Sequence, residues 1–483
     1  MKKSHRLAGI AFAAFTAIAC YGAPTHACGG YGDTLPIAAA RAADADPAVS
    51  DAAIARLRAA GPDGLKALMA AHADAIARHA ENPTAKDPAW CNVATSIDRV
   101  AAQRDAWASG LYWYTDLEQA KAAAKAQNKP ILTLRLLGTL DSDLSCANSR
   151  FFRTALYANK ELSAYLRENF VLHWKSVRPV PKVTIDFGDG RVVERTITGN
   201  SIHYVLDADG LPVDGIPGLY GPAAFRARLE SAATVSSRFG NLDPERRWRK
   251  YAAWHAEQDA AALRQWDEDL KALGVPVAGR TLPADGTAVV VEAPAAPQPP
   301  KDQPPKALPA ARLAVGKARA EVNLVRALTP SAEVLTAATD DAVWQRIAQR
   351  HAEESRLDAG SRTVVAAKQP APRGRVAAAP NAAAAGPRAA AKWEQEDPMF
   401  RVLELVGNFE RSMAMDTVKN EYTFHRSIHQ WLASAKAPPA LEPFNDRVYA
   451  ELFLTPSTDP WLGLAPADAY SAIDGEGLRT AGK

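Results

Sequence analysis

The segment spanning residues 110–232 alternates apolar runs with helical patterns, and this alternation limits the fold more than any other feature. Its centre is the apolar run Ile131–Leu137, which is typical of a strand buried on both faces. A helical pattern precedes this run over 116–127, with Asp116 as its cap, and another follows over about 149–168. Alternating strands and helices predict an α/β layer structure.

Further patterns extend this segment. Short apolar runs predict strands over 170–174, 183–187, 191–196 and 202–206, and a last helix after Pro222. The sequence Gly188-Asp189-Gly190 is typical of a hairpin turn between the second and third of these strands.

A lone cysteine stands at the expected start of the helix that follows the central run, in Cys146-Ala147-Asn148-Ser149. The partial positive charge and free N–H groups of a helix N-terminus favour a thiolate there. Ser149 occupies the position of a second cysteine, so the motif cannot form an internal disulfide. Asp141 and Asp143 lie nearby and oppose thiolate formation. The residues leave two alternatives open, a reactive monothiol and an inert, partly buried cysteine.

Residues 110–232 resemble exported thioredoxin-like domains. The matching stretches are residues 116–124, Lys129-Pro130-Ile131-Leu132, the Cys146 motif, residues 161–171 and residues 204–210. The resemblance implies a thioredoxin-like α/β/α sandwich, Cys146 as the nucleophile with Ser149 at the resolving position, and contacts to a substrate backbone at Ser201 and Ile202. The chain departs from the family at Ser145, where a tryptophan often stands, and near Ser201, where the family has a cis-proline.

The N-terminus has the pattern of a targeting segment. A basic head with Lys2 and Lys3 precedes an apolar stretch and a small-residue cleavage site ending at Ala27, which predicts a signal peptide over residues 1–27. The alternative is a lipoprotein signal in which Cys20 is acylated. We therefore expect a periplasmic or secreted protein that is attached to a membrane only if Cys20 is lipidated.

In an oxidising compartment, an odd number of cysteines suggests one disulfide and one free thiol. Removal of residues 1–27 leaves Cys28, Cys91 and Cys146, and a disulfide between Cys28 and Cys91 would leave Cys146 free. The formal net charge is only +3, and the chain has no basic stripe interrupted by aromatic residues, so we expect no nucleic-acid partner.

Composition and periodicity divide the remaining chain into helical regions and linkers. The predicted order is a helical N-terminal region (28–109), the α/β domain (110–232), a helical extension (233–275), a Pro/Ala-rich linker (276–312), a helical segment (313–365), a second Ala/Pro-rich linker (366–392) and a helical C-terminal region (393–483). Both linkers have the composition of disordered segments.

The C-terminal region holds two groups that could carry function. His425 and His429 lie four residues apart on a predicted helix, with Glu421 one turn earlier. No third ligand is evident, so we interpret them as a partly exposed polar helix face and predict no metal or cofactor. Four aromatic residues predict local core packing: Trp431, Tyr449, Phe453 and Trp461.

Two functional hypotheses follow. In the first, Cys146 of an exported monothiol protein forms mixed disulfides with client proteins. In the second, the protein is a non-catalytic thioredoxin-fold interaction protein whose C-terminal helices bind a partner.

Overall fold

A five-stranded mixed sheet stands at the centre of the protein. The computed structural model describes residues 34–83, 85, 87–196, 199–277, 330–368 and 398–458. The predicted signal peptide and almost all of the two predicted linkers lie outside these residues. Among the described helices, none has both the length and the apolar character needed to cross a membrane.

The sheet combines parallel and antiparallel strands. The strands are β1 Trp113–Tyr114, β2 Ile131–Leu137, β3 Val171–Arg178, β4 Lys182–Asp186, β5 Val192–Thr196, β6 Ser201–Leu206 and β7 Pro212–Pro217. The central sheet has the order β1-β3-β2-β6-β7, in which β1, β3 and β2 are parallel and β6 and β7 are antiparallel to their neighbours. Strands β4 and β5 form a separate hairpin. The expectation of an α/β core is confirmed.

The N-terminal region is helical and has its own apolar core. Its helices are α1 Leu35–Arg41, α2 Pro47–Ala59, α3 Pro62–Ala71, α4 Ala73–Glu81 and α5 Pro88–Ala101, followed by a 3₁₀ turn, Ala106–Ala108.

The helices that follow the N-terminal region correct one expectation. They are α6 Leu117–Gln127, α7 Ala147–Phe151, a π-helical turn Phe152–Leu156, α8 Lys160–Asn169, α9 Pro222–Phe239 and α10 Pro244–Ala272. The single helix predicted over 149–168 is wrong, because Asn159 is extended and caps a new helix by accepting from Leu162 N at 2.9 Å. The domain boundary predicted between residues 232 and 233 falls inside α9.

The remaining described helices come from the two segments beyond residue 329. They are α11 Pro330–Ala337, α12 Asp341–Arg350, a 3₁₀ turn Ala352–Ser355, α13 Ala359–Ala367, α14 Pro398–Lys419, a π-helical turn Asn420–His425, α15 Arg426–Ser434, α16 Leu441–Arg447 and a π-helical turn Val448–Leu452. Helix α13 ends at Ala367, so it includes the first two residues of the linker predicted over 366–392.

The two faces of the sheet are covered by different parts of the chain. One face packs on helices close to it in sequence: the centroid of the His203 ring lies 4.6 Å from that of Phe152 and 4.8 Å from that of Phe225. On the other face, Arg135 pairs with Glu442 at 2.9 Å and the Tyr204 hydroxyl donates to Asn445 Oδ1 at 3.3 Å.

We call residues 398–458 the C-terminal region. The described chain has a hairpin and no helix between β3 and β6, and the C-terminal region packs on the face that holds Arg135 and Tyr204. Two candidate sites involve the C-terminal region, one at Cys146 and one where His425 and His429 meet Asp214 of β7.

Candidate functional site

Cys146 lies at the start of a helix, as the sequence predicted. It is the N-cap of α7, a helix of five residues, and its backbone N–H donates to Leu137 O, at the end of β2, at 3.1 Å. The central strand and the helix therefore meet at this residue.

The hydroxyl of Ser149 binds the cysteine and its neighbours. Ser149 Oγ lies 2.7 Å from Ser145 Oγ, 2.8 Å from the Cys146 carbonyl oxygen and 3.4 Å from Cys146 Sγ. All three side chains are fully buried. The motif is thus a closed hydrogen-bonded group inside the protein.

The residues expected to contact a substrate do lie beside this motif. A Cβ atom built on Gly199 would lie 3.0 Å from Asn148 Oδ1, so the chain entering β6 runs against α7. Ser201 and Ile202 follow at the start of β6, and both are fully buried. Ser201 Oγ forms no hydrogen bond with any described residue. The structure brings the expected site together but leaves none of these side chains exposed.

The C-terminal region closes this site. Asn200 Nδ2 donates to Phe453 O at 3.3 Å and to Thr455 Oγ1 at 3.0 Å, and the Tyr449 hydroxyl donates to Asn200 O at 3.4 Å. Burial raises the pKa of Tyr449 well above its usual value, and the nearby charge of a Cys146 thiolate would raise it further.

The predicted aromatic packing is confirmed for part of the group. Tyr449 and Phe453 are buried, with ring centroids 5.2 Å apart, and Trp431 packs against the same core. Trp461 lies outside the described residues. These aromatic side chains therefore hold the C-terminal region together.

The predicted disulfide stays a prediction. Cys91 is exposed on α5 and forms no disulfide with another described residue, while Cys28 lies outside the described residues.

His425 and His429 are not a polar helix face. Both are almost fully buried, so the expectation of partial exposure is wrong. The physical reason is that α15 and the turn before it pack between β7 and α10, which bring Asp214 and His255 to the two histidines.

His425 lies between two carboxylates. Its Nε2 lies 3.0 and 3.2 Å from the two oxygens of Asp214, and its Nδ1 lies 3.2 Å from Glu421 Oε2. Glu421 is also held by Arg228 at 3.2 Å and by the Tyr220 hydroxyl at 3.3 Å. The negative charges of Asp214 and Glu421 thus face two basic side chains, His425 and Arg228.

The electrostatics of this group follow from burial and pairing. Burial alone would lower the pKa of His425, but Asp214 and Glu421 together raise it to about 9. Burial alone would raise the pKa of each carboxyl; the surrounding cations instead lower that of Glu421 to about 2, and that of Asp214 below its usual range. His425 is therefore a buried cation at neutral pH.

His429 and His255 complete the cluster as neutral imidazoles. Their Nδ1 atoms are 2.8 Å apart, and His429 Nδ1 lies 3.8 Å from Asp214 Oδ1. Burial is the main cause that lowers both pKa values, that of His255 to about 4. Asp214, His255 and His429 each place a metal-binding atom within 4.8 Å of the other two.

Reasoning from the sequence did not find Asp214 and His255. Asp214 lies in β7, which was not predicted as a strand. His255 carried a weak signal, since it continues the stripe of Trp248 and Tyr251 along a predicted helix, and a histidine on such a stripe is buried. The spacing of 174 residues between His255 and His429 hides the contact from any local pattern.

Comparisons with protein-family models, with curated proteins and with solved structures gave no significant match to this chain.

Proposed function

We propose that this chain is an exported thioredoxin-like interaction protein that does not catalyse thiol–disulfide exchange. The strand order β1-β3-β2-β6-β7, with the cysteine motif directly after β2, supports the thioredoxin-like expectation. The pattern of residues 1–27 supports export. The observation that carries the proposal is that Cys146 has no exposed surface and lies under the C-terminal region.

Burial opposes the exchange reaction directly. In thiol–disulfide exchange, a thiolate attacks one sulfur of a disulfide, forms a mixed disulfide and releases the other sulfur as a thiolate. Cys146 offers no surface to an incoming disulfide, and Ser149 cannot resolve a mixed disulfide. The same motif can instead fix the junction of β2 and α7.

The hairpin of β4 and β5 is the surface that we assign to a protein partner. It pairs with no other described strand, and Ile185 and Phe187, two positions apart along the chain, are 46 and 56% exposed. Val192 is 52% exposed on the opposite face of the hairpin, because it pairs with Asp186. Neighbouring exposed apolar side chains such as Ile185 and Phe187 are typical of an interaction site. Arg150 joins the hairpin to the motif by donating to Thr196 Oγ1 at 2.7 Å and to Ser145 O at 2.9 Å.

Pulsed alkylation of the native full-length protein, read by peptide mass spectrometry, tests the loss of exchange chemistry. The exposed Cys91 is the internal control. We expect Cys146 to react at least about 100-fold more slowly than Cys91, because labelling requires local opening. Equal labelling rates would contradict the proposal.

A photo-crosslinking residue at position 187 tests the partner surface. We expect it to link the protein to a discrete partner in cells, whereas the same residue at the exposed position 257 on α10 should not. Equal cross-linking from both positions would reject the hairpin as the binding surface.

Monothiol exchange is the second candidate. It is favoured by the position of Cys146 at a helix N-cap with Ser149 Oγ 3.4 Å from its sulfur. It requires the C-terminal region to move away. Formation of a mixed disulfide at Cys146 with glutathione disulfide, detected by intact mass and absent in Cys146→Ala, would support this candidate over the first.

A further inference from the structure

We infer that Asp214, His255 and His429 form a structural site for one divalent metal ion of the Zn²⁺ class. The three ligands come from β7, α10 and α15, three elements far apart in the sequence. An ion here would join the sheet, the long helix and the C-terminal region at one point.

The distances fit such an ion. Zn²⁺ binds nitrogen and oxygen ligands at about 2.0–2.2 Å, which places neighbouring ligand atoms of a tetrahedral site about 3.4 Å apart. The nitrogens of His255 and His429 are 2.8 Å apart, and His429 Nδ1 is 3.8 Å from Asp214 Oδ1. Both separations lie within about 0.6 Å of the tetrahedral spacing, and all three ligand atoms lie within 4.8 Å of one another. The three side chains would supply three of the four positions of a tetrahedral site.

The chemistry of the ligands selects the class of metal. Two imidazoles and one carboxylate suit Zn²⁺ and related transition metals better than Mg²⁺ or Ca²⁺, which prefer oxygen ligands. All three side chains are at most 2% exposed, so a substrate cannot reach the ion. The site is therefore structural.

The surroundings also fit a metal centre. His425 donates to both oxygens of Asp214 and holds the carboxylate in place, and Glu421 in turn holds His425. Such outer contacts orient the ligands of a metal site.

The test uses the full-length protein, stripped with EDTA and then titrated separately with Zn²⁺ and Co²⁺. We expect about one equivalent of either metal per chain by elemental mass spectrometry, a tetrahedral Co²⁺ absorption spectrum, and a higher midpoint of thermal unfolding with metal. Uptake of neither metal by folded, metal-free wild type would overturn the inference, whatever the variants do.

Variants then identify the ligands. We expect His255→Gln and His429→Gln to weaken binding at least about 100-fold, more than the 10–100-fold loss typical of outer contacts, which we expect for Glu421→Gln. His351→Gln is the matched control, because His351 also pairs with carboxylates, those of Asp269 and Glu354, and should not change binding.

X-ray absorption of the Zn²⁺-loaded wild type covers the case in which these variants do not fold. It should show two imidazole ligands. Undiminished one-equivalent binding in the folded double variant H255Q/H429Q, or a spectrum without imidazole ligands, would place the metal elsewhere and overturn the inference.

Discussion

The Cys146 motif and the histidine cluster differ in how they are built. Cys146 and Ser149 are close in sequence and form a recognisable motif, yet the structure closes that motif with neutral hydrogen bonds. The histidine cluster is built from side chains of β7, α10 and α15, and it concentrates buried charge at one point. In this protein, the motif that is visible in the sequence is therefore not the site that holds the buried charges.

The two sites also differ in the free energy that it costs to bury their side chains. A buried thiol behaves as a small apolar group, and burying it costs little. A buried ion is costly unless an opposite charge and hydrogen bonds accompany it. Substitutions in the two sites should therefore reduce the unfolding free energy by different amounts. Four experiments, on these sites and on two ion pairs elsewhere, test the expected order of these losses.

The largest effect should follow Asp214→Asn. The buried His425 cation loses its closest anion, and removing one partner of a buried pair costs about 3–5 kcal/mol of unfolding free energy. Urea unfolding at neutral pH in EDTA, so that no metal contributes, measures this loss. Asp189→Asn in the exposed hairpin turn is the control and should leave the unfolding free energy nearly unchanged. A loss below about 1 kcal/mol for Asp214→Asn would show that the cluster is not a charged network.

A smaller effect is expected for Glu442→Gln, which weakens the closure over Cys146. The buried Arg135 guanidinium loses its carboxylate, but Glu442 is half exposed, so we expect a loss of about 1.5–3 kcal/mol. Alkylation of Cys146 should become about 10-fold faster, because the C-terminal region opens more often. Glu451→Gln, in an exposed pair with Arg447, is the control. An unchanged alkylation rate would show that Cys146 is protected by something other than this region.

Cys146→Ala should cost less again, about 1–2 kcal/mol, because it removes one buried sulfur and leaves a small cavity. Cys91→Ala on the exposed face of α5 should change stability by no more than about 0.5 kcal/mol. Chemical denaturation of both variants measures the difference. A loss for Cys146→Ala as large as that for Asp214→Asn would remove the distinction between the two sites.

The smallest effect is expected for His351, a partly exposed histidine that, like His425, pairs with two carboxylates. This effect is a change of the unfolding free energy with pH. Hydrogen bonds to Asp269, first, and to Glu354 raise the pKa of His351 to about 9. A raised histidine pKa means that the stabilisation is complete below about pH 6.5 and is lost as the pH rises through 9. Because His351 is partly exposed, we expect only about 1 kcal/mol.

The comparison of wild type with His351→Gln isolates this contribution, because His425 titrates over the same range in both proteins. The difference in unfolding free energy should be largest near pH 6 and shrink toward pH 9.5. A difference that is constant over this range would show that His351 contributes packing and not charge.

Local patterns predicted much of the α/β core. The apolar run of β2 and the Asp116 cap of α6 are signals within a few residues, and both predictions are confirmed. Strand β7 was missed because Pro212, Asp214, Gly215 and Pro217 are typical of turns. The break before α8 was missed because the apolar spacing continues through it.

The sites were predictable only in part. The helix-start position of Cys146 follows from neighbouring residues, whereas its burial depends on Tyr449 and Asn200, which meet across 249 residues. The histidine cluster depends on contacts of the same kind. Periodicity describes one element at a time and does not show which elements will pack together.

The pairing of Arg135 with Glu442 links residues 307 positions apart, and this affects how the protein folds during its synthesis. At a synthesis rate of about 5–20 residues per second, the ribosome adds Glu442 roughly 15–60 s after it adds Arg135. Until then, the face of the sheet that holds Arg135 has no C-terminal region to cover it. The nascent protein thus passes through a stage with an uncovered sheet, and chaperones that hold such intermediates have a defined surface and a defined time in which to act.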